Sequence, residues 1–331
     1  MTSRNYLPGQ DARDNFELTR DVPSKLISGV PSREIPRVSI VTPEYHRPLL
    51  LRESIQSALA QRGFDDYELV IVDDEPDPET SAEATVRLFN DPRLVYYRND
   101  KNLGMIANYN RCIALARGEW ITFLHNDDWI SPHFLTRMMA ALPDDAQLLT
   151  CRVREGKAGY DPALLSALGR RRPRPAERIP PRSLILRNIS PAPGVLFKRR
   201  EALELGGFDE RFYPCSDYDF NIRMVLSGHA YVLDEPLAYY RNTNSMTYKG
   251  DTLARMIAWS KTMKRGLVEK FPGWRSNAYY AASMAGWYRR GAENGVHLDR
   301  EPPGNGPERL ARSLFRHPTL AHYFDRVVRR L

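Results

Sequence analysis

Residues 37–150 alternate between short runs rich in Val, Ile and aromatic residues and stretches with helical apolar spacing. That βαβαβαβ order predicts an α/β fold on a mainly parallel, Rossmann-like sheet with helices on both faces. The strand runs are RVSIVT, YELVIVDD, RLVYYRN and EWITFLHN, apolar enough to be buried on both sides. Between them LLLRESIQSALAQ, PETSAEATVRLF and MIANYNRCIALA space their apolar residues along one helix face. Each strand run also ends in polar residues, at the edge where a parallel sheet gathers ligands because loops and helix N-termini converge there.

Those four ends are Thr42-Pro43-Glu44-Tyr45, Asp73-Asp74, Asn99-Asp100-Lys101-Asn102-Leu103-Gly104 and His125-Asn126-Asp127-Asp128. A lone strand-end Asp is most often a helix cap or a turn residue. Two acidic pairs on one rim are harder to explain that way, since like charges repel unless a cation or several donors neutralise them. There is no GxGxxG after the first strand and no GxxxxGK[ST], so neither a dinucleotide fingerprint nor a Walker-type phosphate loop is present. Hard carboxylate oxygens suit Mg²⁺ or Mn²⁺, which typically bridge one or two carboxylates to substrate phosphates. The pattern therefore points to a diphosphate held through a metal.

Composition narrows the class. The net charge of +7 sits largely in GRRRPRPAERIPPR (Arg170, Arg171, Arg172, Arg174, Arg178, Arg182) and in the tail ending Arg326, Arg329, Arg330. No nucleic-acid-binding pattern accompanies these arginines, so solvated surface charge is the expectation and nucleic acid is not an expected partner. The first residues lack the apolar core of a signal peptide, and no run reaches the length of a membrane span, so a cytoplasmic protein is expected. Cys112, Cys151 and Cys215 are odd in number with no CxxC, which predicts free thiols.

Taken in order, VSIVTPEYHRPLLLRESIQSALAQ, YELVIVDDEP and NLGMIANYNRCIALARGEWITFLHNDDWISPHFL resemble the donor half of family 2 glycosyltransferases of the GT-A fold. GVLFKRREALELGGFDERFYPCSDYDFNIRMVLSGHAYVLDEPLAYYR resembles the acceptor half, where a GGFDE turn precedes an acidic motif that opens a helix. The similarity covers about residues 37–247. It implies an inverting transfer of sugar from a nucleotide-diphosphate donor, UDP- or dTDP-linked, to a hydroxyl of a glycan or lipid-linked acceptor.

The resemblance also implies roles. Pro43, Glu44 and Tyr45 match the loop lining the nucleobase, Asp73 the acid on the base or ribose, and Asn102 and Gly104 the loop closing over the nucleoside. His125-Asn126-Asp127 falls at the Asp-x-Asp position, making Asp127 the implied metal ligand and Asp128 a helper or helix cap. Asp217 matches the catalytic base, with Asp219 in reserve. The chain departs from the pattern at three places: His125-Asn126 replaces acidic residues, Ser216 replaces the Glu before the base, and no His follows Tyr240-Arg241. A sugar-nucleotide-binding protein without catalysis and a nucleotidyltransferase are the rival readings, the second lacking the glycine-rich basic loop it would need.

The expected organisation is an extension over 1–36 and a donor half over 37–150. An acceptor half over 151–250 follows, with an Arg/Pro-rich loop at 168–187, and then a helical region over 251–331. The extension is expected on the surface or against a partner, and the loop is either a lid or a plain connection. In the final stretch Leu320, Tyr323, Phe324, Val327, Val328 and Leu331 share one helical face, with Arg326, Arg329 and Arg330 largely opposite. Core packing is the default for such a helix; contact with an anionic membrane presenting a lipid-linked acceptor is the alternative.

Overall fold

The computed structural model describes residues 6, 8–9, 13–31, 34–168, 175–189, 193–242, 250–296, 306–317 and 324. The first half follows the predicted alternation. Strands β1 (Ser24–Ser28), β2 (Val38–Glu44), β3 (Tyr67–Asp73), β4 (Leu94–Asn99) and β5 (Trp120–Phe123) enclose helices α1 (Pro48–Leu59), α2 (Glu83–Val86) and α3 (Met105–Leu115). Strands β2 to β5 run parallel, in the spatial order β4-β3-β2-β5. Their apolar runs are buried on both faces, which is why they read as almost continuous hydrophobic stretches.

One expected helix shrinks. Over PETSAEATVRLF only Glu83–Val86 is α-helical, because residues 77–81 form a turn on the Asp77 carbonyl and Asp73 Oδ2 takes the amide of Ala82 at 2.7 Å. Carboxylate and turn bonding divert the backbone from the helix that apolar spacing alone suggests.

The second half extends the same sheet. After β6 (Trp129–Ile130) and α4 (Phe134–Ala140) come β7 (Ala146–Gly156), α5 (Pro162–Ala167), β8 (Glu177–Arg178), β9 (Val195–Lys198) and α6 (Arg199–Glu204). Helix α7 (Ser216–Ser227) and β10 (His229–Arg241) follow. Strand β9 enters antiparallel between β5 and β7, and the order continues β7-β10-β6 with β8 on β10. A ten-stranded sheet thus passes through both halves. The GGFDE turn needs its glycines: Gly206 and Gly207 have φ of 76° and 70°, and a Cβ on Gly206 would meet the Arg13 carbonyl at 1.8 Å.

The extension is part of this body. Strand β1 pairs antiparallel with β4, Asn15 bonds the Gly206 carbonyl, and buried Tyr6 packs edge-on against Phe212 at 5.5 Å. From the linker between halves the structure describes β8 and a 3₁₀ turn at Pro181–Ile185; 169–174, with most of the arginine run, lies outside the described residues. All three cysteines are free and buried. Among the described residues no helix is long and apolar enough to cross a membrane. The final helix predicted over 318–331 lies outside the described residues except Phe324, which packs against the main core.

Helices α8 (Gly250–Lys270), α9 (Trp274–Glu293) and α10 (Gly306–Arg316) form the C-terminal region, joined by one carboxylate. Glu308 of α10 is fully buried, accepts from Tyr280 and Tyr288 of α9, and pairs with Lys261 and Arg265 of α8 at 3.1 and 3.0 Å. Burial alone would raise its pKa, but the two tyrosine hydroxyls and the Lys261 charge outweigh it and hold the carboxyl at about 2. A pKa depressed on folding stabilises fully above the usual carboxylate range and is lost as pH falls toward 2. Glu308→Gln is therefore expected to cost about 3 kcal/mol at neutral pH by removing the charge that Lys261 and Arg265 share, and to flatten the loss of stability between about pH 5 and 2. Urea-unfolding midpoints against pH check this, and equal midpoints for variant and wild type would refute it.

Candidate active site

The register of β2 on β3 sets Glu44 beside Asp73 at the carboxyl edge of the sheet. Both carboxylates turn inward. Glu44 is 1% exposed and accepts from the Arg47 amide and from Asn126 Nδ2, each at 2.6 Å; burial raises its pKa to about 7 despite those donors. Asp73 accepts from Ala82 N, Tyr96 Oη and Glu75 N at 2.7, 2.7 and 3.0 Å. Asp74 gathers the amides of Leu103 and Gly104 and the side chain of Asn99. Desolvation raises the pKa of both aspartates, the donors opposing it.

These acids shape the rim. Asp74 folds the 100–104 loop, with Asn102 Nδ2 on its backbone carbonyl and Gly104 at φ 83°, while Glu44 holds the turn carrying Tyr45 and His46. Tyr45, 48% exposed, stacks obliquely on His46, a non-glycine residue at φ 54°. Among the residues expected to line the nucleoside, Tyr45 and Asn102 present their side chains at the surface, and Pro43 is partly buried on β2.

The loop after β5 gathers the metal candidates. Ligand atoms of His125, Asp127 and Asp128 lie within 4.8 Å of one another. Asn126 turns its amide to Glu44 instead; that bond accounts for an amide where the family pattern leads one to expect an acid. Asp127 caps no helix and instead pairs with Arg47 at 2.7 Å. Asp128 is fully buried, its Oδ1 taking the Arg241 amide at 3.0 Å.

Two buried polar atoms, His125 Nε2 and Asp128 Oδ2, have no hydrogen-bond partner among the described residues. Burial pushes the Asp128 carboxyl well up, with the Asp127 charge adding to it, and draws the His125 imidazole down toward its neutral form. A neutral imidazole and two clustered carboxylates form a donor set that fits a divalent cation, which would also relieve both orphaned atoms.

Asp217 lies in the first turn of α7, exposed to solvent yet crowded by surrounding protein, and this crowding raises its carboxyl pKa. The backbone amides of Tyr218 and Asp217 and the side chain of Asn188 pull in the opposite direction. Asp219 differs sharply: it is 2% exposed, accepts from Tyr6 Oη at 2.9 Å, and pairs with Arg223 at 2.8 Å. Tyr109 of α3 lies against the cluster after β5. Its ring stacks on His125 at 5.5 Å, and after burial the largest influences raising its pKa are the charges of Asp217 and Asp127.

Residues 39–203 match the family model described as Glycosyl transferase family 2. The putative colanic acid biosynthesis glycosyl transferase WcaA of Escherichia coli K12 is 30% identical over 210 residues, covering 60% of this chain and 70% of that protein. The chain belongs to glycosyl transferase family 2. Solved structures agree on the fold. TarS 1–349 of S. aureus in complex with UDP-GlcNAc aligns with a TM-score of 0.56 at 14% identity, over 86% of this chain and 92% of that one. The Pyrobaculum calidifontis mannosyltransferase PcManGT, in complex with GDP-Man and Mn²⁺, aligns at 0.52 and 14%, over 95% and 88%. This family 2 member is thus a glycosyltransferase with the predicted GT-A architecture. Arg47 and Asn188, which the sequence alone did not single out, bond its acidic residues, and Tyr109 stacks on His125; Tyr109 sits at an inward position of a predicted helix, and Arg47 lies two residues past the predicted base loop.

Proposed function

We propose that the protein is an inverting glycosyltransferase moving a sugar from a UDP- or dTDP-linked donor to a hydroxyl of a glycan or lipid-linked acceptor in cell-surface polysaccharide or glycoconjugate synthesis. The observation that carries it is the His125, Asp127, Asp128 cluster in the loop after β5, with an acid, Asp217, in the first turn of α7. Support for the donor class comes from TarS and PcManGT, solved with UDP-GlcNAc and GDP-Man, and for the setting from the relative named for colanic acid biosynthesis.

In this reading Asp127, with His125 and Asp128, holds Mg²⁺ or Mn²⁺, which when bound supplies positive charge against the departing diphosphate. Arg47 lies beside Asp127 as a second cation for the phosphates. Asp217 takes the proton of the acceptor hydroxyl as that oxygen attacks the anomeric carbon, and a single displacement with one base inverts the centre. Tyr45, Asn102 and the edge shaped by Glu44 and Asp73 receive the nucleoside. A panel of nucleotide sugars, assayed for release of the nucleoside diphosphate with Mn²⁺ or Mg²⁺, is expected to give turnover with one uridine or thymidine donor. No turnover with any donor, in protein that binds one, would support instead a binding protein without catalysis.

A further inference from the structure

The Asp217 carboxylate is held from outside its own helix. Its Oδ2 accepts from Asn188 Nδ2 at 3.0 Å, and Asn188 lies on the connection between the two halves of the chain. The orientation of that amide is determined by its other contacts. Asn188 Oδ1 accepts from Asn221 Nδ2 at 2.9 Å and from the Ile189 amide at 2.8 Å. A flipped amide would set its oxygen against the carboxylate and its NH₂ against two donors, so Nδ2 must face Asp217. Asn188 therefore bridges positions i and i+4 of α7, with Asn221 as its brace.

The connection is itself anchored. Lys264 of α8, fully buried, donates to the carbonyl of Ile185 at 2.9 Å and to Tyr218 Oη at 3.0 Å, and Tyr218 in turn donates to the Leu184 carbonyl. A buried ammonium thus ties the 181–185 turn to the residue after Asp217, three residues before Asn188.

We propose that Asn188 is a positioning residue for Asp217, aiming its carboxylate and favouring the ionised form, so that the connecting segment sets the readiness of the base. This rests on the reading of Asp217 as the base. A donor hydrogen bond stabilises a carboxylate relative to its acid, and at this site it opposes the crowding by protein that favours the neutral form. Other groups that sense the Asp217 charge are Tyr109 from α3, Cys215 just before α7 and Tyr218 on α7; Lys264 of α8 stands behind Tyr218, its ammonium drawn down to about 7 by burial. The Tyr218 backbone amide also stabilises the carboxylate, but among the described hydrogen bonds Asn188 is the side chain that donates to it.

The test titrates Asp217 directly by carboxyl ¹³C resonances of aspartate-labelled protein, its signal being the one missing from Asp217→Asn. In Asn188→Ala the midpoint is expected to rise by about one pH unit, the scale of one hydrogen bond to a charged group. In Asn188→Asp it rises further, since two carboxylates then face each other. Asn221→Ala, which frees the amide to rotate, is expected to move it in the same direction by less. A role confined to packing would not produce that ordering. In parallel, release of UDP from UDP-GlcNAc with Mn²⁺ is followed against pH, and the acidic limb of kcat/KM is expected to move with the midpoint while the donor KM stays within two-fold. An Asp217 midpoint unchanged in both Asn188→Ala and Asn221→Ala overturns the proposal. Asp217→Asn that keeps turning over donor overturns the base assignment instead, whatever the titration gives.

Discussion

Asp217→Asn is expected to lower sugar transfer by about 10² to 10⁴ while leaving donor affinity within a few-fold, the loss that follows removal of a general base. The substitution keeps size and hydrogen-bonding capacity, so Asn188 retains an acceptor and α7 retains its start. Asp219, two residues on, cannot readily take over: Tyr6 and Arg223 occupy its oxygens in a buried ion pair. Asp219→Asn should instead act on stability, since it leaves the Arg223 guanidinium buried against a weaker partner. Steady-state rates for both variants, with donor binding measured by calorimetry, separate the two. Transfer above about a tenth of wild type in folded Asp217→Asn protein would remove the residue from the base role.

The second large effect concerns the cluster after β5. Asp127→Ala is expected to lower turnover by about 10² to 10³, as loss of a group stabilising charge on the leaving phosphate does, and a chelator should stop wild-type turnover until Mn²⁺ or Mg²⁺ is restored. Because Arg47 pairs with Asp127, the variant releases a cation toward the phosphates, and donor binding should weaken rather than vanish. Metal titration followed by fluorescence or calorimetry gives a readout independent of turnover. Full activity in chelator would assign the phosphate charge to Arg47 instead.

The fold of the first half was legible because β2 to β5 are buried on both faces and their composition says so, while the helices between them show one apolar face each. The expected helix at 78–89 was not, because Asp73, buried at the end of β3 and nine residues before Ala82, captures that amide, a contact that apolar spacing does not encode. Site residues divide along the same line. Asp127 and Asp217 could be named from motif position, yet Arg47 and Asn188 meet them across 80 and 29 residues of chain, a separation that no local spacing encodes. Asn126, a departure when read as a motif, becomes intelligible once its amide is seen to serve Glu44. The extension gave no functional signal in sequence because Tyr6 and Asn15 gain their meaning only from Asp219 and Gly206, some two hundred residues later.

Strand β9 lies hydrogen-bonded between β5, whose following loop carries the metal candidates, and β7, which leads through β10 to the rest of the second half. A hinge motion that swung one half away from the other would have to tear this ladder, and backbone bonds inside a buried sheet do not open on the scale of turnover. In the proposed reading, the donor and acceptor halves are thus held at a spacing set by strand pairing rather than by the angle between two mobile lobes. In the same reading, substrates of different size are accommodated at the rim, the donor nucleoside by the turns at Tyr45 and Asn102 and the acceptor by the connection that carries Asn188. Exchange of those rim segments between relatives should transfer substrate preference without recalibrating the chemistry beneath.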